Sequence, residues 1–198
     1  DIGFVLGKDI GYEIFDFLCI FQPIFWAIFI ITSGICSRLS RNTLRRGIIV
    51  FAAGLIVTLV TAVIMPTIGI TGAEIYFGIL SCLGCCMSIT GLFMPLINKA
   101  GSKASFAGMA VCAVLFLATY SLSSHELLFG LIKLPDSLFS SNLFMPFGFY
   151  ASTFASADYF PLIPWLFLFL LGAFLGKWAK DGAFPAGFYK SRSKFLQK

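Results

Sequence analysis

The stretch SRLSRNTLRRGIIVFAAGLIVTLVTAVIMP (residues 37–66) places four arginines within nine positions and follows them with twenty residues that carry no charge. At 1.5 Å rise per residue, about 20 helical residues cross a hydrocarbon core of roughly 30 Å. The uncharged run 47–66 therefore reads as a membrane span, and the arginines before it as the edge of one. Four further runs share this character, at 17–36, 75–97, 105–122 and 159–176, and none holds a charged residue. The expected fold class is all-α, a polytopic transmembrane helix bundle of about five spans. The whole of 1–198 reads as a single transmembrane domain.

Working outward from the arginines, the gaps between spans alternate in charge. Arg38, Arg41, Arg45 and Arg46 fill the first gap, Glu74 alone the second, and Lys99 and Lys103 the third. The long fourth gap holds Glu126, Lys133, Asp136 and Asp158, and the tail holds Lys177, Lys180, Lys190, Arg192, Lys194 and Lys198 against Asp181. Basic short loops stay in the cytoplasm. Residues 38–46, residues 99–103 and the tail are thus expected on the cytoplasmic side of a cell membrane, inner or plasma. The second and fourth gaps and the acidic start (Asp1, Asp9, Glu13, Asp16) are expected outside. The charged fraction is 12% and the hydrophobic fraction 59%, where a soluble domain carries about twice that charge. The basic excess is accounted for by short cytoplasmic loops, so nucleic acid is not an expected partner. An outside start with no span before it points to an excerpt, with at least one helix upstream of Asp1. The tail from residue 186 on reads as a linker.

All six cysteines lie within the spans. Cys82, Cys85 and Cys86, at i, i+3, i+4, can share one helix face. A metal site needs a further ligand and a polar surround, so packing between helices is the simpler reading and no metal is expected. Pro23 removes one backbone bond in the first span, and a kink is expected near it. The very short first gap predicts that the two helices flanking it are antiparallel neighbours. Gly78, Ser81, Gly84, Ser88 and Gly91 predict a buried central helix over 75–97, and Gly172 with Gly176 offers a close-contact step. Segment 123–158 is too rich in Phe and Leu for an ordinary loop. It is expected in the membrane interface or folded over the bundle as a lid. Tyr159, Phe160 and Trp165 at one edge of the last span, with Lys177 and Trp178 at the other, suit an aromatic belt and a snorkelling cation.

Among candidate sites the arginine cluster leads. Guanidinium groups bind multiply charged anions bidentately, so a phosphorylated cytosolic cofactor or anionic lipid headgroups would suit, against the plainer reading of a positive-inside anchor. Asp158 could meet a substrate at the outer mouth, although an Asp three residues before a Pro is also a good helix start. His125, the only histidine, has no nucleophile fixed beside it by spacing. Ser81 lacks a nucleophile-elbow context.

Several strings resemble the catalytic-domain family of heparan-alpha-glucosaminide N-acetyltransferase, in its bacterial branch. They are FWAIFIITSGICSR (25–38), TLRRGIIVFAAG (43–54), YFGILSCLG (76–84) and SADYFPLIPWLFLFLLGAFLG (156–176). The Asp158-Tyr159-Phe160-Pro161 string followed by Pro164-Trp165 is the most specific. The likeness is weaker over 102–149. It implies a membrane bundle that moves an acyl group from cytosolic acyl-CoA, acetyl-CoA first, to a sugar amine or hydroxyl on the far side. It also implies a catalytic histidine in a helix upstream of Asp1. The CoA phosphates would then rest on Arg38, Arg45 and Arg46. The pantetheine arm would pass between helices one and three, by Ser33, Gly34, Ser81 and the glycines Gly78 and Gly84. Asp158 and Tyr159 would help to hold the sugar. At Ser81 many relatives carry histidine, a departure in this chain. The implied partners are the lipid bilayer, acyl-CoA and a glycan, with a second copy of the chain also open.

Two other classes compete. A transporter or flippase-like component needs polar or ionisable residues inside the membrane; only Gln22 and scattered Ser and Thr answer, and no inverted repeat is visible. A non-catalytic membrane scaffold of the same family is the third.

Overall fold

Inside a bilayer the backbone has no water to bind, so each span must satisfy its own N–H and C=O groups, and helix is the local solution. The computed structural model describes the backbone of residues 8–99 and 101–180, and side-chain surroundings for residues 21–99 and 101–178. Asp1 and the tail charges from Asp181 onward lie outside the described residues. The helices are α1 (Lys8–Ser37), α2 (Thr43–Leu59), α3 (Ile79–Lys99), α4 (Ser102–Thr119) and α5 (Leu162–Lys180). Helix α2 continues through a π-helical turn (Val60–Ile64) into Met65–Thr67. Among the described residues, three segments are long and apolar enough to cross a membrane: Thr43–Thr67, Ile79–Lys99 and Ser102–Ser124. Phe21–Ser37 and Leu162–Trp178 are shorter apolar helical segments.

Four differences from the sequence reading have physical causes. Helix α1 carries Pro23 inside it and already includes Lys8, so Asp9, Glu13 and Asp16 belong to the helix. Helix α3 starts at Ile79, not residue 75, and α5 at Leu162, not residue 159. The residues in front of these two helices pair with each other instead of winding. Ala157 N–H donates to the Glu74 carbonyl at 2.8 Å, and Phe160 N–H to the Phe77 carbonyl at 3.0 Å. Third, α1 and α2 are joined by a tight corner but do not run side by side. Thr43 Oγ1 donates to the Ser37 carbonyl (2.8 Å) and Asn42 Oδ1 accepts the Arg45 N–H (3.0 Å), which closes the corner. Beyond it α1 packs on α5 and α2 on α3.

The fourth difference is the identity of the central helix. It is α5 that touches α1, α4 and α3, while α3 lies between α2 and α5. Phe169 and Ala173 of α5 are completely buried, and with Ile30, Cys86, Phe160 and Trp165 they form the heart of the core. Cys82 and Cys86 are buried in that same core, which is the packing role expected of them. Lys177 is 6% exposed, so the end of α5 carries a buried cation where a snorkelling one was expected.

Small residues choose these partners. A methyl on Gly172 would lie 2.2 Å from the Ile31 carbonyl oxygen of α1, and one on Gly34 at the same distance from the Phe169 carbonyl oxygen of α5. The Gly172–Gly176 step is therefore a true contact face. Between α2 and α3, Gly84 admits the backbone of Phe51, Gly47 meets Ser88, and Gly54 meets Ser81. Adding a methyl to such a contact forces backbones apart, at a typical cost of about 1–3 kcal/mol. Gly172→Ala is expected to lower the thermal unfolding midpoint in detergent. Gly101→Ala, where nothing lies within 4 Å of the added methyl, should lower it less, by no more than the loss of a glycine N-cap on α4.

Candidate functional site

The alternation of the helices gathers the polar features at two opposite ends. At the basic end, the α1–α2 corner and the start of α2 form an open cleft of about 500 Å³ lined by Arg41, Asn42, Arg45, Arg46 and Ile49. A smaller cleft of about 200 Å³ adjoins it, and Arg41 and Asn42 line both, with Met94 and Asn98 of α3 on the far side. Arg45 and Arg46 thus share a seat, as expected, but Arg38 turns away from it. Its guanidinium donates to Asn98 Oδ1 at 2.7 Å, touches the Met94 sulfur, and its stem lies against Gly176. Arg38 ties together the ends of α1, α3 and α5. The residue the sequence reading passed over is Arg41. It lies in the same nine-residue run, and only the folded corner shows that it, rather than Arg38, faces the cleft.

The small positions proposed for a pantetheine path are engaged by neighbours. Gly34 meets α5, Gly84 meets α2, and the buried Ser81 meets Gly54 of α2. Ser33 is half-buried on α1, its hydroxyl donating to the Phe29 carbonyl at 2.8 Å. The core of α5 stands between α1 and most of α3.

At the opposite end, the paired segments 74–77 and 157–160 hold Asp158 in a defined place. Its Oδ2 accepts the N–H of Ile79, the first residue of α3, at 3.0 Å. Asp158 is a helix cap, but for α3, not for the α5 helix it precedes in sequence. Gly78 makes room: a methyl there would sit 2.6 Å from Asp158 Oδ2. A negative group at a helix N-terminus is also favoured by the helix dipole. Asp158, Gly78, Ser81 and Gly54 border a small cavity of about 80 Å³.

Tyr159 points the other way. Its hydroxyl donates to the Met145 carbonyl, and its ring meets Tyr150 and Phe154 at 5.1 Å between centres. Burial, and Tyr150 beside it, push the phenol above its ordinary range, so it remains a donor. Phe154 in turn lies 5.9 Å from Tyr76. This aromatic cluster walls a cavity of about 440 Å³ lined by Glu74, Tyr76, Asn142, Met145, Thr153 and Phe154, with Ala155. Asp158 and Tyr159 support that cavity from behind and do not line it. Glu74 and Tyr76 are the residues that sequence reasoning missed. The one available signal was that Glu74 is the only charge in its gap.

Segment 123–158 folds into short pieces over this end: a two-residue hairpin pair, β1 (Glu126–Leu127) and β2 (Ile132–Lys133), and 3-10 turns at Asp136–Phe139 and Asn142–Phe147. His125 stacks on Phe139 with ring centres 3.7 Å apart, and its Nδ1 lies 3.6 Å from Asp136. It is not among the residues lining the large cavity.

A bundle with several helices of bilayer length and apolar composition is the build of a membrane protein. The family model described as heparan-alpha-glucosaminide N-acetyltransferase, catalytic, matches residues 1–196, and the chain belongs to this family. That makes it, in general terms, a membrane acetyltransferase. No curated protein and no solved structure matches the chain.

Removing the Asp158 cap is expected to cost about 1 kcal/mol. Asp158→Ala should lower the thermal midpoint in detergent, and Asp158→Asn, which keeps an acceptor oxygen for Ile79, should lower it less. Equal losses in the two variants would show that capping is not what Asp158 contributes.

Proposed function

We propose that this protein transfers an acyl group, acetyl in the first instance, from acyl-CoA at its basic end to an amine or hydroxyl of a sugar at its aromatic end. The basic end faces the cytoplasm of the inner or plasma membrane in this reading, following the positive-inside rule. One observation carries the proposal: an arginine-lined cleft and an aromatic, carboxylate-bearing cavity lie at opposite ends of one bundle.

The donor set of the basic cleft suits the phosphates of CoA. Arg41, Arg45 and Arg46 offer planar forks that match phosphate oxygens two at a time, which a lysine cannot do. The first turn of α2 adds backbone N–H groups and a favourable dipole beside them. Arg38 supports the seat by fixing α1 to α3 and α5. Ser33 remains on the face of α1 as a contact for the pantetheine arm, whereas Gly34 and Ser81 contribute through the helix contacts that shape the route.

In the reaction the acceptor nitrogen or oxygen bonds to the thioester carbonyl carbon, the carbon–sulfur bond breaks, and CoA leaves as the thiol. The acceptor proton must pass to a base, a role assigned to no residue of this chain. Protein packed around the thioester excludes water, which would otherwise hydrolyse it.

Acyl-CoA binding to the detergent-solubilised protein tests the donor seat. The Arg45→Ala, Arg46→Ala double variant is expected to bind acetyl-CoA at least about tenfold more weakly, since charge-assisted hydrogen bonds contribute roughly 1.5–3 kcal/mol each. Raised ionic strength should weaken wild-type binding in the same direction. Arg38→Ala should instead lower the thermal midpoint, because its partners are Asn98 and Met94. Unchanged acetyl-CoA affinity in the double variant would remove the donor seat from the proposal.

A further inference from the structure

We infer that the β1–β2 hairpin is a membrane anchor: its apolar turn, residues 128–132, inserts among the phospholipids of the leaflet at the aromatic end. This goes beyond acyl transfer and does not rest on it.

The connection between the two strands reads Leu128-Phe129-Gly130-Leu131, where a hairpin turned toward water would favour Asn, Asp or Gly. Leu128 (φ 52°) and Phe129 (φ 57°) both adopt left-handed backbone, as does His125 (φ 63°) at the foot of the hairpin. That conformation is uncommon and unfavourable for a bulky side chain. Burial within the protein does not offset it, because Leu128, Phe129, Leu131 and Ile132 are all exposed, Leu131 at 83%. A strained turn that presents four large apolar side chains outward suits a partner that is itself apolar.

The position of the hairpin names that partner, because it folds back along α4. Leu128 N–H donates to the Ala118 carbonyl at 2.9 Å, and the Phe129 ring meets Tyr120 at 6.4 Å between centres. Ala118 belongs to the segment Ser102–Ser124, which is long and apolar enough to cross a membrane. It lies about 24 Å along α4 from Ser102, about 6 Å short of the far side of a roughly 30 Å hydrocarbon layer. The turn is thus held level with a part of α4 inside the bilayer. Its exposed side chains continue the lipid-facing surface made by Val114, Leu117 and Tyr120.

Backbone groups at that depth need partners within the chain. Glu126 pairs with Lys133 and Leu127 with Ile132, while Leu134 N–H donates to the His125 carbonyl at 2.9 Å and Gly130 N–H to the Leu127 carbonyl at 3.2 Å. The charges set the limit of insertion. The Glu126 carboxylate reaches the turn, where a methyl on Gly130 would lie 3.1 Å from Oε2. A carboxylate so close keeps the turn at the boundary between headgroups and acyl chains, the depth of about 5–10 Å usual for interfacial segments. Lys133, exposed on β2, is then beside the lipid phosphates. His125 joins the hairpin to the rest of segment 123–158 by stacking on the buried Phe139, whose ring meets Phe149 at 5.5 Å between centres. Anchoring the turn therefore holds the cover of the aromatic end against the membrane surface.

Tryptophan fluorescence of the full chain in lipid nanodiscs tests this. Phe129→Trp and Leu131→Trp are compared with wild type, whose three native tryptophans supply the signal to subtract. Val114→Trp, on the lipid-facing side of α4, is the reference. In phosphatidylcholine brominated near the carbonyl end of its acyl chains, the added fluorescence at 129 and 131 is expected to fall at least about twofold relative to unbrominated lipid, as insertion at the boundary requires. Iodide in the water should quench it little. Strong iodide quenching with bromine quenching only in Val114→Trp would put the turn in water and overturn the inference. Shielding from both quenchers would overturn it too: with two copies per nanodisc it shows a second chain over the turn, and with one copy a cover from the chain itself. Leu131 does not have left-handed backbone, so Leu131→Trp keeps the test open should Phe129→Trp misfold.

Discussion

The architecture depends on close approach between helix backbones at glycine. In water, burial of apolar side chains would drive these helices together, but lipid tails are as apolar as leucine and offer no such gain. Association must come from van der Waals contact, and that is greatest where no side chain intervenes. Gly172 against Ile31, Gly34 against Phe169, and Gly84 against Phe51 are such places. They explain why α1 leaves α2 after a tight corner and seeks α5, and why α2 settles on α3. The apolar residues facing outward, such as Ile56, Leu92 and Val114, are then surface for lipid and need no protein partner.

The glycine contacts fix the bundle, and the bundle fixes its ends. At the basic end the tight α1–α2 corner opens a cleft among Arg41, Arg45 and Arg46, while Arg38 is committed to holding three helices. At the other end two non-helical segments are joined by backbone hydrogen bonds, and this joining places the acids. Asp158 closes the start of α3 and takes no part in the cavity. Glu74 lines the cavity and, among the described residues, has no ion-pair partner. Both acids sit on the two segments that these hydrogen bonds join, one satisfying a helix terminus and the other lining a cavity.

Much of the fold was legible in the sequence, because transmembrane helices announce themselves through length and absence of charge. Five apolar helices lie near the expected positions, three of them in segments long enough to cross a bilayer, and Gly172–Gly176 does form a contact. The misplaced helix starts at 75 and 159 share one cause. Residues 75–77 and 159–160 are apolar enough to extend a span, and hydrogen bonds between segments 83 residues apart in sequence hold them outside the helices. The expected pairing of α1 with α2 failed for a related reason. A short loop constrains where the next helix begins but not which face finds the better partner.

For the candidate site, the arginine cluster could be seen but not its internal division, since nothing in the run 38–46 tells which guanidinium meets Asn98. Glu74 was visible only as a solitary charge. The sequence alone determined the all-helical, apolar class of the fold and the alternation of charge between its helices, because these follow from composition counted along the chain. Tertiary structure decided which helix is central, which acid caps and which faces a cavity. Those outcomes turn on distances of two to three ångströms between residues far apart in the chain, and no local pattern encodes such distances.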